Sequence, residues 1–315
     1  AGCALLVRSP TDSPMPPPAQ AAAAPGVMPP LQLMSHYMLD GASPLPALAL
    51  APRPGERILD LCAAPGGKTL VLAGQLFRTG DWKAVDGTLL VANERSYQRR
   101  VRLQRVLNEY LSSSATADGG PIVVTGVDGT DQRVAAMAWP SSFHRILVDA
   151  PCSSERHVMH GASGANWSPA RLKRDAQQQQ QIVRSAVRRL APGGRLVYST
   201  CSIAPCENDG VIHKLLSDER FGSQLKLVDA LAELRDSGMH PLLAGVERTR
   251  YGAIMLPDRS RFGPLYWAVL ARCVEGAEQQ RDASAACQAT DSESEGDSES
   301  EEGDSESSSG ENARG

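Results

Sequence analysis

The chain has 315 residues and no run of 18 apolar residues, so no stretch is apolar enough to read as a membrane-spanning helix. Seven cysteines at scattered spacings argue against a disulfide framework and for a reducing compartment. The net charge of −4 conceals an asymmetry: residues 275–315 carry 13 acids and two arginines, net −11, which leaves a mildly basic +7 on residues 1–274, as suits a phosphate-bearing partner.

In chain order, residues 1–30 form a Pro/Ala-rich segment with one arginine and one acid. That composition predicts disorder and holds too few arginines for a transit peptide. Residues 31–274 are expected to be one folded domain. Within it, "ERILDLC" (56–62) predicts a strand, followed by a Gly-Gly turn and a helix through "KTLVLAGQLF". "TLLVANE" (88–94) is a second strand, and "SYQRRVRLQRVLNEYL" (96–111) is a helix with Leu103, Val106, Leu107 and Tyr110 on one face. "PIVVTGV" (121–127) and "RILVDA" (145–150) are further strands. A helix from Pro169 to Leu190 leads into the strand "GGRLVYST" (193–200), and another helix covers Asn208 to Leu216. Two late strands fall at 251–257 and 263–273. Residues 275–315, acidic and rich in Ser, Glu and Asp, predict a disordered tail.

Short apolar strands separated by amphipathic helices imply an α/β fold: a mostly parallel, seven-stranded sheet with helices on both faces. In such sheets ligands gather at the carboxyl ends of the strands. The chemically suggestive residues all lie there: Pro65 to Lys68, Glu94, Asp128, Asp149, Cys152 and Cys201. "LDLCAAPGGKT" (59–69) ends like a phosphate loop, but Cys62 stands where that motif needs its first glycine. The alternative is a tight glycine turn whose helix offers open amides to a carboxylate or other polar group. Glu94, ending the second strand, is placed to hold a ribose diol, and Asp128 to meet a purine amine. Together they describe a pocket for adenosine bearing a small zwitterion, as in S-adenosylmethionine. Taken singly, each acid also reads as an N-cap or loop residue.

"CAAPGGKT", "DAPCS" and "STCS…ENDG", in this order, resemble the Nop/Sun family of RNA (cytosine-5) methyltransferases. "DAPCSSERH" and the short frame are most similar to its mitochondrial ribosomal-RNA branch, which works with a separate RNA-targeting protein. The resemblance implies a class I S-adenosylmethionine-dependent methyltransferase (Rossmann-like) fold. It implies cofactor contacts from Cys62, Ala63, Ala64, Pro65, Gly66, Gly67, Lys68, Glu94, Arg99, Asp128, Gly129 and Asp149. The family often has Asp where Glu94 stands, and residues 79–87 read as a loop insertion.

The chemistry explains why such an enzyme needs two thiols. Carbon 5 of cytosine is a poor nucleophile until a thiolate adds at carbon 6, and the product must then be released. The resemblance makes Cys201 the nucleophile, Cys152 the thiol assisting release, and Asp149 the group addressing the base. Cys62 is expected to pack beneath the loop. Cys206 lacks the second cysteine pair that a zinc site would show, so no metal is expected. Arg95, Arg99 and Arg102, and a second stretch of "RLKR" (171–174) with Arg184, Arg188 and Arg189, are candidate RNA contacts. The five-glutamine run (177–181) reads as a solvent-facing helix surface, and His36, Tyr37 and Met38 as lead-in packing. The substrate expected is ribosomal RNA, with tRNA, a non-catalytic ribosome-assembly factor and a DNA cytosine methyltransferase as alternatives. The resemblance places the protein in a mitochondrion, with nucleolar, cytoplasmic or other organellar locations as alternatives.

Overall fold

The structure is a computed structural model, and it describes residues 33–34, 36–77, 87–153, 168–235 and 240–274. The two end segments, most of the 79–87 insertion and residues 154–167 lie outside the described residues.

The elements follow the apolar periodicity closely. Strand β1 (Arg57–Asp60) runs through the glycine turn into α2 (Gly67–Leu76), after a short first helix α1 (Leu45–Leu50). Then come β2 (Leu89–Asn93), α3 (Tyr97–Tyr110), α4 (Ser113–Thr116), β3 (Ile122–Thr125), α5 (Gln132–Ala138) and β4 (Phe143–Asp149). The long α6 (Pro169–Arg189) is capped by Ser168, whose hydroxyl oxygen accepts from Arg171 N at 3.2 Å, with Pro169 in the first turn where its missing N–H costs nothing. It leads into β5 (Leu190–Thr200), α7 (Asp209–Leu216) and β6 (Leu225–Val228). The chain closes with α8 (Ala232–Arg235), β7 (Val246–Arg248), β8 (Ala253–Met255), α9 (Pro257–Ser260) and β9 (Leu265–Arg272).

The strands form one sheet in the order β3-β2-β1-β4-β5-β9-β8-β7, with β6 also on β9. β1 to β5 pair in parallel, as expected, while β6 to β9 are antiparallel. Among the described residues the sheet has nine strands where the sequence predicts seven. The two extra ones, "LKLV" and "VER", are too short for a periodicity of their own and take their conformation from β9 and β8. Alternate residues of the central strands enter different cores: Leu147 and Val197 on one face, Ile146, Val148, Leu196 and Tyr198 on the other. Burial of both faces explains why these strands read as continuous apolar runs. No helix among the described residues is long and apolar enough to cross a membrane.

Candidate active site

The register of β4 against β5 brings the two cysteines together. Asp149 pairs with Ser199, and Ala150 N donates to Ser199 O at 2.9 Å. The two chains therefore leave the sheet side by side, and three residues on from Asp149 and two on from Ser199 they present Cys152 and Cys201. Their sulfurs lie 3.2 Å apart, with no disulfide between them. Below them Asp149 is fully engaged: Lys68 Nζ meets Oδ2 at 2.7 Å, and Ser199 Oγ donates to Oδ1 at 2.8 Å. Lys68 also donates to Ser43 Oγ at 3.2 Å, and its side chain is only 13% exposed.

The glycine turn is shaped by backbone geometry. Gly66 takes φ +118°, a conformation that side chains disfavour, and a Cβ there would meet Val106 and Leu103 at 3.0 and 3.2 Å. A Cβ on Gly67 would stand 2.5 Å from Leu39. The turn therefore stays open beside the first amides of α2, which have no partner within the helix. Asn93, buried at the end of β2, holds the neighbouring strand ends in place. Its Nδ2 donates to Leu61 O and Val127 O, and its Oδ1 accepts from Thr125 Oγ1 and Val127 N, all within 3.0 Å.

Two cavities flank this frame. The larger, about 660 Å³, is lined by the turn, Asp60, Asp149, Cys152 and Cys201, under a wall formed by Tyr37 to Asp40. The smaller, about 300 Å³, is lined by Glu94, Asp128, Gly129 and Gln178. Cys62 and Arg99 line both. Every residue expected at the site borders one of the two cavities, except Gly66, which caps α2.

Electrostatics divide these groups. Glu94 is buried, and its Oε1 accepts from Ser96 N at 2.9 Å. Arg99 Nη1 lies 3.2 Å from Oε2 without hydrogen-bonding alignment, so that oxygen keeps its capacity to accept. Arg99 Nη2 donates to Ala64 O at 2.8 Å, tying the turn to α3. Asp128 has one oxygen on Thr130 N and Oγ1 and the other on Arg95 at 3.0 Å. Partial burial opposes its ionisation, but these donors outweigh it and hold its pKa below the ordinary value. The N-cap of α5 is Asp131, not Asp128. Burial, reinforced by the carboxylates of Asp60, Glu94 and Asp149, pushes the Cys62 thiol far up, so it stays protonated and unreactive.

Three expectations need correcting. The glutamine run is not a solvent-facing surface throughout: Gln179 is fully buried and donates to Pro151 O at 2.9 Å and Glu207 Oε1 at 3.0 Å. The second basic stretch is not a continuous track either. Arg189 is buried and donates to Gln132 O at 3.1 Å, and Arg184 pairs with Asp218 at 3.2 Å. Tyr37 and Met38 do more than pack a lead-in, since both border the large cavity and Met38 is 67% exposed.

Sequence reasoning also passed over Asp60. Its side chain is fully buried, Oδ2 accepts from Thr69 Oγ1 at 2.7 Å, and Oδ1 has no hydrogen-bond partner. Burial raises its pKa to about 7, against the lowering effect of the Thr69 hydrogen bond. The signal was present in the sequence, as a carboxylate at the end of an otherwise apolar strand. An orphaned buried carboxylate oxygen, an open helix N-terminus and an accepting Glu94 together fit S-adenosylmethionine. That molecule combines cationic groups, a carboxylate and a ribose diol.

A doubly wound sheet with this glycine turn, these strand-end carboxylates and a thiol pair defines the class I methyltransferase fold. A family model described as 16S rRNA methyltransferase RsmB/F matches residues 47–270, and the chain belongs to this family, the Nop/Sun group that its motifs resemble. It is 34% identical over 249 residues to the 5-cytosine rRNA methyltransferase NSUN4 of Bos taurus, covering 77% of this chain and 61% of that one. It is 32% identical over 259 residues to a mitochondrial tRNA (cytosine(34)-C(5))-methyltransferase of Mus musculus, covering 81% and 69%. Among solved structures, NSun6 from Pyrococcus horikoshii with SFG shares the fold, with TM-score 0.54, 19% identity, and coverage of 75% of this chain and 53% of that one. The chain thus spans about three-fifths of the length of the NSUN4 relative, at 61%.

Proposed function

We propose that residues 31–274 are the catalytic domain of an S-adenosylmethionine-dependent RNA (cytosine-5) methyltransferase acting on ribosomal RNA. The observation that carries this reading is the thiol pair Cys152 and Cys201, 3.2 Å apart in the same cavity as Asp149 and the glycine turn. A scaffold that only binds RNA has no use for two adjacent thiols above a partly buried Lys-Asp pair. The relatives' names support the ribosomal substrate, while the 32% identity to a tRNA methyltransferase supports tRNA as the second reading. The name of the tRNA relative, which is mitochondrial, supports a mitochondrial location. The resemblance to the ribosomal-RNA branch supports a separate RNA-targeting protein partner.

The residues divide the work as follows. The cytosine must leave its stack for a thiolate to reach its face, which single strands and loops of RNA permit most easily. Cys201 adds as thiolate to carbon 6, forming an Sγ–C6 bond and making carbon 5 enamine-like. Asp149, oriented by Lys68 and Ser199, faces the base and favours protonation at its ring nitrogen during attack. S-adenosylmethionine, when bound, supplies the methyl that ends on carbon 5. The carbon 5 proton then leaves to a base, the Sγ–C6 bond breaks, and Cys201 departs as thiolate. Cys152 assists this elimination. Gly66, Gly67, Glu94, Arg99, Asp128 and Gly129 would hold the cofactor, and Arg95 and Arg102, both exposed, are available to contact the RNA backbone.

The test is a pair of substitutions. Cys201→Ala should abolish methyl transfer while retaining cofactor binding, and Cys152→Ala should accumulate a denaturation-resistant protein–RNA adduct. Turnover by the Cys201→Ala protein would refute the assignment. Bisulfite sequencing of ribosomal and transfer RNAs with and without the protein decides between the two substrates.

A further inference from the structure

The mechanism leaves unused a buried, densely hydrogen-bonded polar cluster beside the thiols. Glu207 is fully buried, and its carboxylate accepts from Ser153 N at 3.0 Å, from Ser153 Oγ, and from Gln179 Nε2 at 3.0 Å. Gln179 also donates to Pro151 O at 2.9 Å. Cys152 is therefore gripped on both sides: Pro151 by Gln179, Ser153 by Glu207, with the two anchors bonded to each other.

The next residue does the same for the other thiol. Asn208, also buried, accepts from Thr200 Oγ1 at 2.6 Å and donates to Ser202 O at 2.9 Å, gripping Cys201 from both sides. Tyr198 OH donates to Glu207 O at 2.6 Å and fixes the backbone from which both anchors spring. Ser153 Oγ and Ser202 Oγ, 3.2 Å apart, complete the frame.

We infer that Glu207 with Gln179, and Asn208 separately, are positioning residues that assign the two thiols their separate tasks. Glu207 and Gln179 hold the release thiol, and Asn208 holds the attacking one. The physical basis is that thiol chemistry demands placement to a fraction of an ångström, and buried, hydrogen-bonded side chains supply it. This inference rests on the proposed roles of Cys201 and Cys152. Loss of Glu207 or Gln179 should therefore impair release, and loss of Asn208 should impair attack.

The experiment incubates the full chain with S-adenosylmethionine and total RNA from the source cells, then measures covalent protein–RNA adduct on denaturing gels, with cofactor affinity measured alongside. Cys152→Ala, the control for the proposed mechanism, accumulates adduct. Glu207→Ala and Gln179→Ala should each raise the adduct fraction by about tenfold, as expected for loss of a hydrogen bond to a charged or buried group, with cofactor affinity unchanged. Glu207→Gln keeps an acceptor toward Ser153 and should restore the parental level. Asn208→Ala combined with Cys152→Ala should lose the adduct that Cys152→Ala alone accumulates, with cofactor affinity unchanged; general loosening of the site does not predict adduct that rises at Glu207 and Gln179 and falls at Asn208. If Cys152→Ala accumulates adduct while Glu207→Ala and Gln179→Ala remain at the parental level, the positioning role is overturned and the thiol assignment stands. If Cys152→Ala itself accumulates none, the thiol assignment falls and takes the inference with it. Should Glu207→Ala fail to fold, Gln179→Ala and Ser153→Ala carry the test, and parental adduct levels in both overturn the inference.

Discussion

Replacing Asp60 by Asn should stabilise the cofactor-free protein, and by an amount that depends on pH in a defined direction. Asp60 is fully buried with one oxygen unpartnered, and burial lifts its pKa from 3.8 to about 7. The unfolded chain ionises this group near 3.8, so between 3.8 and about 7 the folded protein binds the extra proton. Stability from this group is therefore present at low pH and lost as pH rises through that window. The full difference is worth about 4 kcal/mol above pH 8 and roughly half of that near pH 5.5. Asn is isosteric, keeps an acceptor for Thr69 Oγ1, and carries no charge to desolvate. At roughly 2–4 °C per kcal/mol, the melting temperature of Asp60→Asn should exceed the parent's by roughly 10 °C at pH 8. The gain should fall to about half near pH 5.5. Thermal melts of both proteins across this range bring out the effect, because titrations of groups remote from Asp60 cancel in the difference. A variant no more stable than the parent at pH 8, or a gain that does not change with pH, refutes the reasoning. The same substitution should weaken S-adenosylmethionine binding by calorimetry, since it removes the negative charge beside the glycine turn.

Two further outcomes follow from the frame around the cavities. Asn93→Ala strands three buried backbone groups, Leu61 O, Val127 O and Val127 N, at the ends of β1 and β3, so it should cost about 3 kcal/mol in denaturant unfolding. Gly66→Ala forces a side chain into φ +118° against Val106. It should cost about 1–2 kcal/mol in stability and weaken cofactor binding, with calorimetry as the check.

The parts legible in the sequence were those written locally. Strand ends, the glycine turn and the apolar face of α3 are encoded by neighbouring residues, so periodicity and turn chemistry recover them. The meeting of Cys152 and Cys201 follows from strand order and register, which the motif resemblance anticipated and spacing alone did not. The polar residues that make the site work were illegible for a different reason. Gln179 finds its partners at Pro151 and Glu207, 28 residues away on either side. Asn93 finds its own more than 30 residues away. A glutamine among glutamines, or an asparagine ending a strand, looks like surface until the partners that satisfy it are known. Asp60 differs again: its unusual position was visible, but its burial depended on elements that only the fold assembles.

Strand β9 carries a further consequence. It pairs with β5 along one edge and with β8 and then β6 along the other, and it buries Tyr266, Trp267, Ala268, Val269 and Leu270. All the proposed catalytic groups precede it in the chain. During synthesis, both thiols and the cofactor turn leave the ribosome while β5 still lacks its neighbour, an open apolar edge that recruits other strands. A nascent chain that stalls before Leu265 would thus hold every proposed catalytic residue and yet be an aggregation hazard in place of a shortened enzyme.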